Sequence, residues 1–75
     1  MNGQTQDLKA LLLQTHDEFS HLAAEHHQLE DRLNELLAKP HPSEPDLLEE
    51  SSLKKRKLHI KDRMEAIARD YVAHP

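Results

Sequence analysis

Cysteine and tryptophan are absent from this chain of 75 residues, glycine occurs once, and tyrosine and phenylalanine occur once each. Without cysteine, disulfide bonds cannot stabilise the fold. The scarcity of glycine and aromatic residues argues against a β fold, which needs tight turns and strands rich in aromatic side chains. The composition therefore predicts one small all-α domain.

Long apolar runs are also missing. The longest uninterrupted run covers residues 10–13, which is far shorter than a membrane span. The first residues lack the basic stretch and apolar core of a secretion signal. We therefore expect a soluble cytoplasmic protein without membrane contact, and the absence of cysteine agrees with that compartment.

Two rows of mainly apolar residues, spaced three and four apart, lie on either side of a proline-rich stretch at residues 39–45. The first row comprises Leu8, Leu12, Thr15, Phe19, Leu22, His26, Leu29, Leu33 and Leu36, and the second comprises Glu50, Leu53, Lys57, Ile60, Met64, Ile67, Tyr71 and His74. Numbers of facing residues add to a constant total when Leu12 faces His74, Phe19 faces Ile67, Leu22 faces Met64, His26 faces Ile60 and Leu33 faces Leu53. This symmetry is typical of two heptad helices packed antiparallel.

The rows predict a single helical-hairpin domain over residues 1–75, an antiparallel two-helix coiled coil. Its first helix is expected at about residues 5–38, its turn at about 39–43 and its second helix at about 44–73. Pro40 and Pro42 end the first helix, and Ser43 with Asp46 resembles a capping box that begins the second. So small a core usually needs a disulfide, a metal or a second copy, so we expect self-association into a helical bundle.

Charge is divided unevenly between the two helices. Residues 1–39 hold seven acidic and three basic residues, whereas residues 40–75 hold seven of each. In an antiparallel coiled coil, the residues that flank the core of one helix lie beside equivalent flanking residues of the other. This arrangement is expected to place Glu30 beside Lys54 and Lys61, and Glu25 beside Arg63. Exposed ion pairs stabilise little, so their expected effect is on register and orientation.

A cluster of basic residues on the second helix offers one alternative function, the binding of nucleic acid. Its members are Lys54, Lys55, Arg56, Lys61 and Arg63. Positive charge supports contact with phosphates, but the chain is acidic overall and no aromatic residue interrupts the cluster. A nucleic-acid-associated protein is therefore the second interpretation, not the first.

Seven histidines are the unusual feature of the composition. Zinc needs three or four converging ligands, and only His59 on the second helix is opposed to the histidines of the first, so we predict no metal site. An alternative role for the histidines is the sensing of pH, since His26 lies in the apolar row, where a positive charge is unfavourable. No nucleophile motif, glycine-rich loop or cleft indicates catalysis, so we expect neither enzymatic activity nor a cofactor.

Lys57 is a cation at a position that faces Leu29 in the apolar row. Polar residues at such positions often fix register or the number of partners. We expect its stem to pack on Leu29 and its amine to reach Glu30. Binding of an anion is the alternative.

Several apolar residues lie outside the rows. Leu37 and Leu47 face each other beside the turn, where the hairpin accounts for them. Leu11, Leu13, Leu58 and Val72 point away from the rows, as does Leu48, and the first four are the predicted partner-binding residues. The first interpretation is thus a non-enzymatic interaction module, a homo-oligomer that contacts another protein.

Two segments carry a family resemblance: EHHQLEDRL at residues 25–33 and LKKRKLHIKDRM at residues 53–64. Together they resemble the YdcH-like family of small bacterial proteins over nearly the whole chain. Arg63 stands where that family's pattern has an acid, and the turn is unusually rich in proline and histidine. The resemblance implies a cytoplasmic helical hairpin and, because the family's function is unknown, no catalytic or ligand residues.

Overall fold

The computed structural model describes the backbone of residues 2–73 and the side chains of residues 7–73. It contains three helices: α1 over Asn2–Thr15, α2 over Asp17–Leu37 and α3 over Glu44–Ala73. The described residues form no strand, which confirms the all-α prediction. The predicted number of helices is wrong, because the first predicted helix is divided at His16 and begins at Asn2.

A histidine cap causes the division. His16 has extended backbone angles, φ −121° and ψ 105°, and its Nδ1 accepts a hydrogen bond of 3.1 Å from the Phe19 backbone N–H. The side chain thereby satisfies an N–H group at the start of α2, and Asp17 and Glu18 favour the positive end of the helix dipole. A new helix begins here without any proline or glycine.

The cap bends α1 away from the axis of α2. A straight helix over residues 2–37 would be about 54 Å long, whereas the longest dimension of the molecule is 48 Å. Leu12 is buried in one cluster with Phe19 and Ile67, which lie on α2 and α3. All three helices therefore contribute to one core.

The core coincides with the two predicted rows. All the buried apolar residues belong to those rows: Leu12, Phe19, Leu29, Leu33, Leu36, Ile60 and Ile67. Phe19 and Ile67 lie in the same cluster, as their predicted facing requires. His74, the predicted partner of Leu12, lies outside the described residues.

The start of α3 confirms the predicted capping box. Ser43 N–H donates to Asp46 Oδ2 at 3.0 Å, and Asp46 N–H donates to Ser43 Oγ at 3.2 Å. Lys39 Nζ donates to both carboxylate oxygens of Asp46 at 3.1 Å. Asp46 therefore holds the turn to the helix that follows it.

These contacts predict acid sensitivity. The bonds from Ser43 and then from Lys39 lower the pKa of Asp46 from 3.8 to about 2. Because the carboxyl loses its proton more easily in the folded chain, its stabilising effect is complete above pH 3.8 and is lost as the pH falls towards 2. Asp46→Asn should therefore melt at a lower temperature at neutral pH and lose less further stability on acidification than the wild type.

Thermal melts followed by circular dichroism between pH 7 and pH 2 measure this difference. Asp62→Asn is the matched control, since Asp62 has no hydrogen bond or ion pair among the described residues. Equal acid-induced losses of melting temperature in Asp46→Asn and the wild type would contradict the assignment.

Candidate interaction surface

Three arginine–carboxylate pairs line one side of the α2–α3 hairpin, and we call their six residues the arginine flank. The shortest distances are 2.7 Å for Arg63 and Glu18, 2.8 Å for Arg56 and Glu25, and 2.7 Å for Arg32 and Glu49. The residues are spaced by seven on each helix, which places all of them on one side of the apolar rows. The pair nearest the turn has its charges reversed, with arginine on α2.

The hydrogen bonds perturb the acids of this flank. The hydrogen bond from Arg63 lowers the pKa of Glu18, and that from Arg32 lowers the pKa of Glu49. Both acids and both arginines are therefore charged near neutral pH and neutralise each other. The arginine flank already satisfies its own charges.

The partners on this flank differ from the prediction. Arg63 pairs with Glu18, and Glu25 pairs with Arg56, so the predicted contact between Glu25 and Arg63 is wrong. A heptad repeat places an equivalent flanking residue every seven positions. Both Arg56 and Arg63 are therefore at flanking positions that could pair with Glu25. The heptad pattern predicted the correct side of the helices for these residues, but it did not determine which heptad supplies the partner of each acid.

The opposite side of the hairpin carries exposed leucines and lysines. A groove of about 300 Å³, here called the leucine groove, has an apolar wall of Leu33, Leu37 and Leu58. Its remaining lining is Glu30, Asn34, Lys54, Lys57 and Lys61. Glu30 forms an ion pair with Lys57, whose Nζ lies 3.6 Å from its carboxylate, because Lys57 extends out of the apolar row towards it. Lys54 and Lys61 line the same groove as Glu30, as the sequence predicted, but form no ion pair with it.

Leu37 and Leu47 are not buried by the hairpin, which corrects the sequence interpretation. They are 60% and 50% exposed, and Leu58 is 59% exposed. Leu47 precedes Leu58 by eleven residues, or about three helical turns, so both point to the same side of α3. Two helices bury only the stripe between them, and these leucines lie beside that stripe.

A second groove lies where α1 bends back over the other two helices. We call it the basic groove; it measures about 680 Å³. Its apolar lining is Leu8, Phe19, Met64 and Ala68, and its polar lining is Lys9, His26, Lys57, Lys61, Glu65 and Arg69. Sequence reasoning missed this groove, because it requires the bend at His16.

Lys57 and His26, two of the polar residues in the mainly apolar rows, both contact Glu30. Lys57 Nζ lies 3.6 Å from Glu30 Oε2, which confirms that its amine reaches Glu30 as predicted. His26 Nδ1 lies 3.0 Å from Glu30 Oε1 on its own helix. His26 therefore pairs along its own helix and not across to α3, since Glu30 lies one helical turn away on the same face.

The predicted nucleic-acid-binding residues do not share one surface. Arg56 and Arg63 lie on the arginine flank, whereas Lys54 and Lys61 line the leucine groove. Lys54 also pairs with Glu50 on its own helix at 2.9 Å. Lys55 is exposed and lines neither groove.

The predicted partner-binding residues are also divided. Leu58 lines the leucine groove, and Val72 lies fourteen residues further along the same side of α3. Leu11 and Leu13 are exposed on α1 and line neither of the two grooves. The structure thus places Leu58 beside Leu37 in one groove and on the same side of α3 as Leu47, a grouping that the sequence did not predict.

The described part of the chain lacks two features. Within it, no group of three or more histidine, aspartate or glutamate side chains could hold a metal ion. In the same residues, no helix combines the length and apolar character that a membrane crossing requires.

A family model described as "Protein of unknown function (DUF465)" matches residues 19–68. The chain belongs to the DUF465 family. The matched segment of this DUF465 chain begins at Phe19 in α2 and ends at Ala68 in α3, so α1 lies outside it. The resemblance to YdcH-like proteins is consistent with this family. Neither a curated protein nor a solved structure matches the chain.

Proposed function

We propose that this DUF465 protein is a non-enzymatic interaction module that associates with itself and contacts another protein. The observation that carries the proposal is the difference between the two sides of the α2–α3 hairpin. On one side, arginines and carboxylates of the two helices form ion pairs with each other. The other side exposes leucines beside lysines.

The leucine groove favours burial against a protein surface. Leu37 and Leu58 in the groove, and Leu47 further along the same side of α3, are each at least half exposed. Burying apolar surface is favourable by about 25 cal/mol per Å². Lys61, beside them, forms no ion pair within the described residues. A partner with apolar and acidic side chains would bury the leucines and neutralise this lysine.

The division of the basic residues favours a protein partner over nucleic acid. A nucleic-acid surface gains affinity from several cations that face one phosphate backbone. Here Arg56 and Arg63 already bind Glu25 and Glu18 on the side opposite Lys54 and Lys61. Phosphates would have to displace those carboxylates.

The basic groove suits the second, heterologous contact. Its lining combines apolar side chains with Lys9, Lys57, Lys61 and Arg69 against a single acid, Glu65. This charge is complementary to an amphipathic segment whose polar face is acidic. The other protein is therefore proposed to present such a segment.

Self-association has a direct test in the exposed leucines of α3. Sedimentation equilibrium of the wild type should give an apparent mass above the 8.7 kDa of one chain, and Leu58→Glu should return the mass to 8.7 kDa. Leu48→Glu is the matched control, because Leu48 is 72% exposed on the same helix but points away from the leucine groove. It should associate like the wild type.

Two results would count against the proposal. A wild-type mass of 8.7 kDa at high micromolar concentration would contradict self-association. Binding to DNA or RNA that weakens steeply with added salt, and that Arg56→Glu abolishes, would support the nucleic-acid interpretation instead.

A further inference from the structure

We infer that the partner at the leucine groove is a second copy of this chain, with its α3 packed antiparallel against α3 of the first. This inference rests on the self-association in the proposed function. It adds the surface, the orientation and the register of the two copies.

The order of residues along the exposed side of α3 carries the inference. Over residues 44–61, acids come first, with Glu44 and Glu50, and bases follow, with Lys54 and Lys61. Leu47 lies among the acids and Leu58 among the bases. A second helix that runs in the opposite direction therefore presents acids to bases and leucine to leucine.

One register satisfies all of these contacts together. When the two-fold axis passes beside Ser52 and Leu53, Leu47 of each copy faces Leu58 of the other. Lys61 then faces Glu44 of the second copy, and Lys54 lies one residue from the position that faces its Glu50. Glu50 and Lys54 of one chain already lie 2.9 Å apart, so the four groups of the two copies alternate in sign across the axis.

A parallel arrangement lacks this complementarity. It would place Lys54 against Lys54 and Lys61 against Lys61, and like charges in direct opposition are unfavourable. The antiparallel arrangement is also closed, because the same surface is used by both copies and no further copy can add.

The dimer leaves the other surfaces accessible. Leu37, which lines the groove beside Leu58, lies at the edge of the α3–α3 contact, where the second copy covers both leucines. The arginine flank lies on the far side of both hairpins. The part of the basic groove formed by Lys9 and Arg69 lies beyond Lys61, towards the bend of α1, so a heterologous partner can reach it.

The natural absence of cysteine makes disulfide mapping a clean test. In a Leu47→Cys, Leu58→Cys double variant, oxidation should join two copies through two bonds, one on each side of the axis. The two cysteines of one chain are about 16 Å apart along the helix and cannot bond to each other. On a non-reducing gel, most of the protein should run as a covalent dimer.

Two matched variants separate this register from others. Leu58→Cys alone should yield little dimer, because the two copies of this position also lie about 16 Å apart along the paired helices. Leu48→Cys, Leu58→Cys should likewise stay mainly uncrosslinked, since Leu48 points away from the leucine groove. Both samples are examined at a concentration at which sedimentation shows the wild type to be associated.

Each outcome decides the inference. Preferential crosslinking of the Leu47, Leu58 pair supports it. Efficient crosslinking of Leu58→Cys alone, or absence of crosslinking in an associated sample, overturns the register and leaves self-association standing. A monomer in sedimentation overturns both the register and the self-association part of the proposed function.

Discussion

Replacing Phe19 by alanine should unfold most of the chain at room temperature. Phe19 is 2% exposed and packs with Leu12 and Ile67, so its ring joins all three helices. Truncation of a buried phenylalanine costs about 3–5 kcal/mol, and a core of this size rarely supplies more than about 3–5 kcal/mol in total. Helicity measured by circular dichroism should therefore fall sharply.

Leu48→Ala is the control for this prediction, because Leu48 is exposed and its truncation removes little buried surface. Its free energy of unfolding should stay within about 0.5 kcal/mol of the wild-type value. If Phe19→Ala melted within a few degrees of Leu48→Ala, the cluster that joins α1 to α2 and α3 would not be the main source of stability.

The apolar core could be predicted from the sequence because burial itself imposes the spacing. Each buried residue must recur on the same side of its helix, and the three-and-four pattern records this directly. Phe19 and Ile67 were accordingly assigned to facing positions, and both are buried in one cluster. The capping box of Ser43 and Asp46 was equally visible, since it depends on neighbouring residues only.

The break at His16 could not be predicted from the same pattern. The three-and-four spacing of the row continues through Leu12, Thr15 and Phe19, and no proline or glycine marks the site. Histidine is not among the preferred N-cap residues, and its Nδ1 accepts the Phe19 N–H only once the backbone of His16 is extended. The basic groove was missed for this reason.

The candidate surface was predicted in part. Leu58 was singled out correctly as an exposed leucine, but Leu37 and Leu47 were assigned to the hairpin because they face each other across the turn. Facing positions are buried only when they lie within the stripe between the helices, and these two lie at its edge. Exposure, unlike periodicity, depends on how closely the helices approach.

Replacing both Lys57 and His26 by leucine should raise the stability of the hairpin and loosen its choice of assembly. Both side chains line the basic groove, and both reach Glu30, which is exposed enough to remain hydrated without them. Leucine at these two positions extends the apolar rows without leaving a buried charge unpaired. An increase of about 1–3 kcal/mol in the free energy of unfolding is expected.

The effect on assembly follows from the loss of polar groups that penalise incorrect packing. With apolar residues in both places, several alignments of the helices become similar in energy, so sedimentation velocity should show a mixture of species. The matched control is His27→Leu with Lys55→Leu, since both residues are exposed and line neither groove. A single species of wild-type size in the Lys57→Leu, His26→Leu variant would show instead that these residues do not specify the assembly. That result would indicate that Lys57 and His26 instead bind a ligand or a partner at the basic groove.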